Sequence, residues 1–202
     1  MGSGLTVGHG TRRAAVCVAA AAAPTDIMSD LAACFHRQLA MSNGCIPGSL
    51  LLQEVLAARG LGCRLRSGYL LMAFPGDSAA GAAPEVLAVA HMWVEAAGPD
   101  GLPSQLDIGS AIAAAAGADF SGVELHLSPE LPAGAARADL ADPELAAAAA
   151  AAETAMAAMA HASADEAATS ELAGAYWAGA PPVLQAFRAA MLARFAGEAE
   201  RL

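Results

Sequence analysis

Residues 49–59 restrict the fold more than any other part of this chain. They read SLLLQEVLAAR, and the leucines and the valine recur at the spacings of a helix. Pro47 suits the first turn of a helix, where its missing N–H costs nothing, and Gly60 suits the position just past a helix end. The stretch therefore predicts a helix that begins near Pro47 and ends at Gly60.

Cys45 is predicted to lie at the N-terminus of this helix or one turn before the helix begins. Asn43 and Gly44, both turn formers, provide the break that precedes the helix. The N–H groups and the positive end of the helix dipole favour a thiolate there and can hold an oxyanion. The simpler alternative is a thiol that packs as a small hydrophobe. For the other three cysteines we predict that simpler role: Cys17, Cys34 and Cys63.

Three strands with short connections are predicted after the helix. Residues 63–74 and 86–96 have the alternating or continuous apolar pattern of strands, and the second carries His91. Residues 104–110, SQLDIGS, are predicted as a short third strand with Asp107 near its end. Consecutive strands joined by short loops predict an antiparallel meander, in which His91 and Asp107 lie side by side.

The three residues form a set that nucleophilic catalysis requires. A thiol needs a base to remove its proton, an imidazole is such a base near neutral pH, and a carboxylate fixes the imidazole tautomer. Each residue alone has an ordinary structural interpretation: a buried thiol, a core histidine and a turn aspartate. Their combination and order predict a Cys45–His91–Asp107 catalytic site.

These motifs resemble the transglutaminase-like superfamily, within the papain-like cysteine fold. The resemblance rests on Cys45 followed by SLLLQEVLAARGLGCRLRSGY, on HMWVE from His91, and on Leu106-Asp107, and it covers residues 42–110. The short form is similar to the branch that includes leader peptidases of lasso-peptide biosynthesis. The resemblance implies an α+β fold with a papain-like core, in which a catalytic helix packs on an antiparallel sheet, and C-terminal helices are added to it.

Two further residues are candidates for substrate binding. The resemblance implies an oxyanion donor upstream of the cysteine, for which Asn43 and Gln38 are candidates. Trp93 is either a substrate contact or, as we favour, a core aromatic beneath the histidine. The chain departs from the usual family pattern at Met92 and Ile108, without loss of a catalytic atom.

The predicted function is a cysteine-dependent hydrolase or acyl transferase acting on amide bonds of a peptide or protein, through a thioester acyl-enzyme. The family branch favours hydrolysis. We expect no cofactor and no metal, because the four cysteines and five histidines lack metal-ligand spacing. Two alternatives stay open: transglutaminase or N-acyltransferase chemistry, and a non-catalytic binding domain of the same fold.

Length and charge limit the remaining possibilities. The 202 residues suit a single domain, 1–202, with a transglutaminase-like core at 24–128 and a helical extension at 140–202. The net charge of −10 argues against nucleic acid and anionic membrane surfaces as partners. The C-terminal helices pack on the core, cover the cleft or form an oligomer interface, and the pattern leaves these alternatives and the oligomeric state open.

Scattered thiols without a disulfide pattern predict a reducing compartment, and we expect a cytoplasmic protein. Residues 1–25 contain Arg12 and Arg13 followed by a run of alanines, a pattern that weakly resembles an export segment. We favour a disordered start followed by a strand or short helix.

Overall fold

The computed structural model describes residues 23–41, 44–75, 85–98, 102–138, 143–163 and 166–199. Within these ranges the chain is an α+β protein of six helices and five strands. The predictions for residues 1–22 and for Asn43 lie outside the described residues. In chain order the elements are α1 Pro24–Leu39, α2 Cys45–Ala58, β1 Cys63–Phe74, β2 Glu85–Ala97, β3 Pro103–Leu106, α3 Ile108–Ala115, β4 Glu124–Ser128, β5 Ala136–Arg137, α4 Pro143–Ala162, α5 Glu166–Gly179 and α6 Pro182–Ala199.

The sheet has the strand order β3-β2-β1-β4, with all neighbours antiparallel, and β5 adds to β2 in parallel. The predicted antiparallel meander of β1, β2 and β3 is confirmed. Because β2 pairs with β1 along almost its whole length, β3 and β5 must share the other edge of β2. They pair there with residues 94–97 and 87–88, so the stretch of that edge around His91 has no strand partner among the described residues. This gap is where the candidate site forms.

Helix α2 occupies the centre of the core. It is apolar on nearly every side, as expected for a helix covered all round. Five of its side chains are at most 1% exposed, and each contributes roughly 2 kcal/mol of burial free energy: Leu50, Leu51, Leu52, Val55 and Leu56. The sheet covers α2 with the face of β2 that carries Met92 and Val94, and the Ser49 hydroxyl donates a hydrogen bond to the Met92 carbonyl at 3.0 Å.

The C-terminal helices pack on this core, which is one of the three alternatives left open by the sequence. Apolar side chains of α4, α5 and α6 belong to the same hydrophobic cluster as α1 and α2: Met156, Met159, Ala173, Trp177, Leu184, Phe187, Met191 and Phe195. A polar anchor reinforces the contact. The Glu54 carboxylate on α2 accepts hydrogen bonds from the Trp177 indole at 2.9 Å and from the Arg188 guanidinium at 2.7 and 3.0 Å. The division into a core and a helical extension stays a prediction.

One predicted boundary near the site was wrong and one prediction was confirmed. Helix α2 begins at Cys45, so of the two positions predicted for the cysteine the helix N-terminus is the observed one. The third strand ends at Leu106, and Asp107 caps the N-terminus of α3 instead of lying near the end of a strand. The pattern was misread because LDIGS alternates like a strand while it also supplies a cap and the first turn of a helix. None of the helices in the described ranges has the length and apolar character needed to cross a membrane.

Candidate active site

Cys45 lies in the first turn of α2 and is half-buried. No side chain caps this helix, and Pro47 has no N–H to satisfy. The N–H groups of the first turn have no acceptor within the helix, so they can donate hydrogen bonds to a group bound beside the Cys45 sulfur. The helix N-terminus offers both a favourable field for a thiolate and donors for an oxyanion.

Two close approaches bring α2 and α3 together at their N-termini. A Cβ atom on Gly48 would lie 3.0 Å from the Ile108 side chain, and a Cβ atom on Gly109 would lie 3.1 Å from Cys45 Cβ. The same atom on Gly109 would lie 2.8 Å from His91 Cε1. Glycine at these positions lets α3 begin next to the cysteine, and any side chain at position 109 would press on both Cys45 and His91.

His91 and Asp107 form the ion pair that the sequence predicted. His91 Nε2 donates to Asp107 Oδ1 at 2.7 Å, and the imidazole is only 6% exposed. Cys45 lies next to the same imidazole, since a Cβ atom on Gly109 would lie 2.8 Å from His91 Cε1 and 3.1 Å from Cys45 Cβ, and Cys45 contributes to the raised pKa of His91. Because Asp107 occupies Nε2, Nδ1 is the ring nitrogen left for the thiol. The structure thus brings Cys45, His91 and Asp107 together.

Asp107 is held rigidly by the start of α3. As the N-cap residue it accepts a hydrogen bond from the Ser110 N–H at 3.0 Å, and its second oxygen accepts one from the Ser110 hydroxyl at 2.6 Å. This fixes the carboxylate toward His91. The sequence reasoning missed Ser110, although an aspartate followed three residues later by a serine is a capping pattern.

The electrostatics favour a charged pair. Burial opposes a positive charge on His91, but the hydrogen bonds and charges of Asp107 and Cys45 outweigh it and raise its pKa to about 9. Burial also opposes ionisation of Asp107, yet the hydrogen bonds from His91 and Ser110 lower its pKa below the usual value. His91 is therefore protonated near neutral pH beside an ionised Asp107, and its positive charge lies next to Cys45.

A cleft of about 320 Å³ opens beside the sulfur. Its described walls come from α2, from β2 and from the C-terminal helices: Gly44, Cys45, Ile46, Pro47, Ala90, Ala149, Ala152, Met156 and Tyr176. Burial, and then the charge of Cys45, raise the pKa of the Tyr176 phenol. The sequence analysis did not identify the cleft residues of α4 and α5. The alanine-rich sequence of this region has no apolar stripe that would show which side of each helix faces the core.

A second cavity, of about 550 Å³, is lined by other residues of β2 and α4. Trp93, which shares a face with His91, lines it together with Arg66, Glu95 and Gln105. Trp93 is 2% exposed, and its indole N–H has no hydrogen-bond acceptor among the described residues. Trp93, which the sequence suggested as a substrate-binding residue, is thus a buried residue beside this second cavity, on the face of β2 that also carries His91.

Of the two side chains that the sequence suggests as oxyanion donors, the structure describes only Gln38, and it does not bring Gln38 to the site. Gln38 is exposed near the end of α1 and does not line the described cleft. Asn43 lies outside the described residues. The main-chain N–H groups at the start of α2 are the donors that the described geometry does place beside Cys45.

Within the described ranges, no group of three or more histidine, cysteine, aspartate or glutamate side chains converges as a metal site would. Comparisons with protein-family models, with curated proteins and with solved structures gave no match for this chain. The site's chemistry therefore has to be argued from its own geometry.

Proposed function

We propose that this chain is a cysteine-dependent enzyme of transglutaminase-like type, with a papain-like core, that cleaves or transfers an acyl group from an amide or peptide bond. The observation that carries the proposal is the position of His91. It hydrogen-bonds Asp107 at 2.7 Å through Nε2 and lies next to Cys45, which begins a helix without a side-chain cap.

The first half-reaction uses each group once. The Cys45 thiolate adds to the substrate carbonyl, and the resulting oxyanion accepts hydrogen bonds from N–H groups of the first turn of α2. His91, which carries a proton at neutral pH because its pKa is raised to about 9, gives that proton to the leaving amine. The C–N bond breaks and a thioester on Cys45 remains. Asp107 keeps the imidazole oriented throughout.

The second half-reaction resolves the thioester. His91, now neutral, takes a proton from a water molecule or an amine, which adds to the thioester carbonyl and releases the thiolate. Water gives hydrolysis and an amine gives acyl transfer. We favour hydrolysis of a peptide or protein substrate, in line with the family branch that the sequence resembles.

Acyl-enzyme trapping tests this proposal. The protein is mixed with p-nitrophenyl acetate at pH 7, and the acetylated cysteine is located by peptide mass spectrometry. We expect a burst of p-nitrophenolate and an acetyl group on Cys45, which hydroxylamine removes. His91→Ala should abolish both, because the thiolate and the proton donor are lost together.

Cys63→Ser is the matched control, since Cys63 is the other half-buried free thiol among the described residues. It should leave the burst and the acetylation of Cys45 unchanged. Acetylation spread over Cys34, Cys45 and Cys63, or a burst that survives His91→Ala, would favour the non-catalytic binding domain instead.

A further inference from the structure

The 320 Å³ cleft beside Cys45 carries an inference about the substrate, which rests on the proposed function. The cleft is bounded by the sulfur-bearing residue itself, so whatever fills it lies within reach of the reacting carbon. Its volume is at the low end of ligand pockets, which run from about 300 to 1,000 Å³. A single side chain of the substrate fits this size better than a whole cofactor.

The position of the cleft identifies which part of the substrate enters it. The leaving amine must lie next to His91 to receive its proton. His91 is not among the described residues that line the cleft, whereas Ala90, its neighbour on β2, is. We infer that the leaving group departs beside His91, and that the acyl part, which stays bonded to the sulfur, occupies the cleft that Cys45 lines.

The lining defines the chemistry of the occupant. The α4 side of the cleft presents Ala149, Ala152 and Met156, and the α2 side presents Ile46 and Pro47. No described lining residue is charged, and the polar side-chain atoms are the Cys45 sulfur and the Tyr176 hydroxyl. A charged side chain that lost its hydration against these described residues would gain no charged partner from them, at a cost of several kcal/mol. An aliphatic side chain would lose water at no such cost.

We propose that the cleft is the acyl-side specificity pocket, that it takes an aliphatic side chain, and that Ala149 and Ala152 on α4 set its depth. The C-terminal helices thus select the substrate as well as stabilising the core. Substrates with an aliphatic residue on the carbonyl side of the scissile bond are expected to acylate Cys45 fastest.

Acylation by p-nitrophenyl acetate and p-nitrophenyl hexanoate tests this pocket. We expect the hexanoyl ester to acylate the wild-type protein about tenfold faster or more, since each methylene in an apolar pocket is worth roughly a tenfold gain or more. Ala152→Leu fills the pocket and should lower the hexanoate-to-acetate ratio about tenfold. Ala149→Leu should act in the same direction and serves as a second variant.

Ala155→Leu is the matched control, because Ala155 is an exposed residue of α4 that does not line the described cleft. It should leave the ratio unchanged. If acetate acylates Cys45 normally while the ratio is the same in wild type, Ala152→Leu and Ala149→Leu, the pocket is wrong and the enzyme proposal stands. If acetate does not acylate Cys45 at all, the enzyme proposal itself falls.

Discussion

Cys45 and Cys63 have similar exposure but opposite surroundings, because they lie near opposite ends of α2. Cys45 opens the helix, next to His91 and the N–H groups of the first turn. Cys63 begins β1, and its thiol contacts the Gln53 carbonyl at 3.6 Å. Burial raises the pKa of the Cys63 thiol to about 11. We therefore expect the two thiols to differ in reactivity, because position on a helix and a charged neighbour affect a thiol as well as its exposure does.

Among substitutions that leave Cys45 and His91 in place, the largest effect is expected when the charge behind His91 is removed. Asp107→Asn keeps the shape and a hydrogen-bonding group but deletes the negative charge that raises the pKa of His91. The imidazolium should then persist only to a lower pH, and acylation of Cys45 by p-nitrophenyl acetate at pH 7 should fall roughly 100-fold. A pH–rate profile of acylation, recorded for both proteins, measures this. An unchanged profile would mean that Asp107 serves only as a helix cap.

A smaller effect is expected when the two catalytic side chains are pushed apart. Gly109→Ala places a methyl group 2.8 Å from His91 Cε1 and 3.1 Å from Cys45 Cβ, so the imidazole must shift. Gly109 has an ordinary backbone conformation, and the substitution adds bulk without φ strain. Acylation of Cys45 should drop about tenfold or more, since small misplacements of catalytic groups are costly. Circular dichroism with the same acylation assay separates this effect from unfolding, and a wild-type rate would show that the two helices do not pack this closely.

The smallest effect is expected from the thiol at the other end of the helix. Cys63→Ser removes a thiol that burial keeps protonated, and a serine hydroxyl can still donate to the Gln53 carbonyl. The acylation rate of Cys45 should stay within about twofold of wild type, because Cys63 does not contact Cys45 or His91 and takes no part in the proposed proton transfers. Cys45→Ser is the comparison variant and should lose acylation almost completely. Equal losses from both substitutions would erase the distinction between the two thiols.

The sequence predicted those features that depend on short patterns. Short patterns of residues predicted the leucine-rich centre of α2 and the two long strands. They also predicted the elements in which Cys45, His91 and Asp107 lie or which they adjoin. The cap at Asp107 was misassigned because a strand end and a helix N-cap look alike over five residues. Strand β5 was missed because it pairs through only Ala136 and Arg137.

The residues that line the cleft could not be predicted from the sequence, for a different reason. Ala149 and Ala152 belong to a helix made largely of alanine, in which no stripe of apolar residues marks the inner face. Only packing against β1 and β2 decides which alanines turn toward Cys45. Tyr176 comes from yet another helix, far along the chain, so no spacing in the sequence connects it to the thiol.

Iodoacetamide alkylation across pH 5 to 10, mapped by mass spectrometry, tests the charged Cys45–His91 pair most directly, with Cys63 as the internal reference. Below about pH 9, where His91 carries a proton, Cys45 should react faster than Cys63, and this excess should disappear in His91→Ala. As the pH rises through about 9 in the wild type, the imidazolium is lost and the excess should shrink. Equal rates for the two thiols at pH 7, or an excess that survives His91→Ala, would contradict an assembled Cys-His-Asp site.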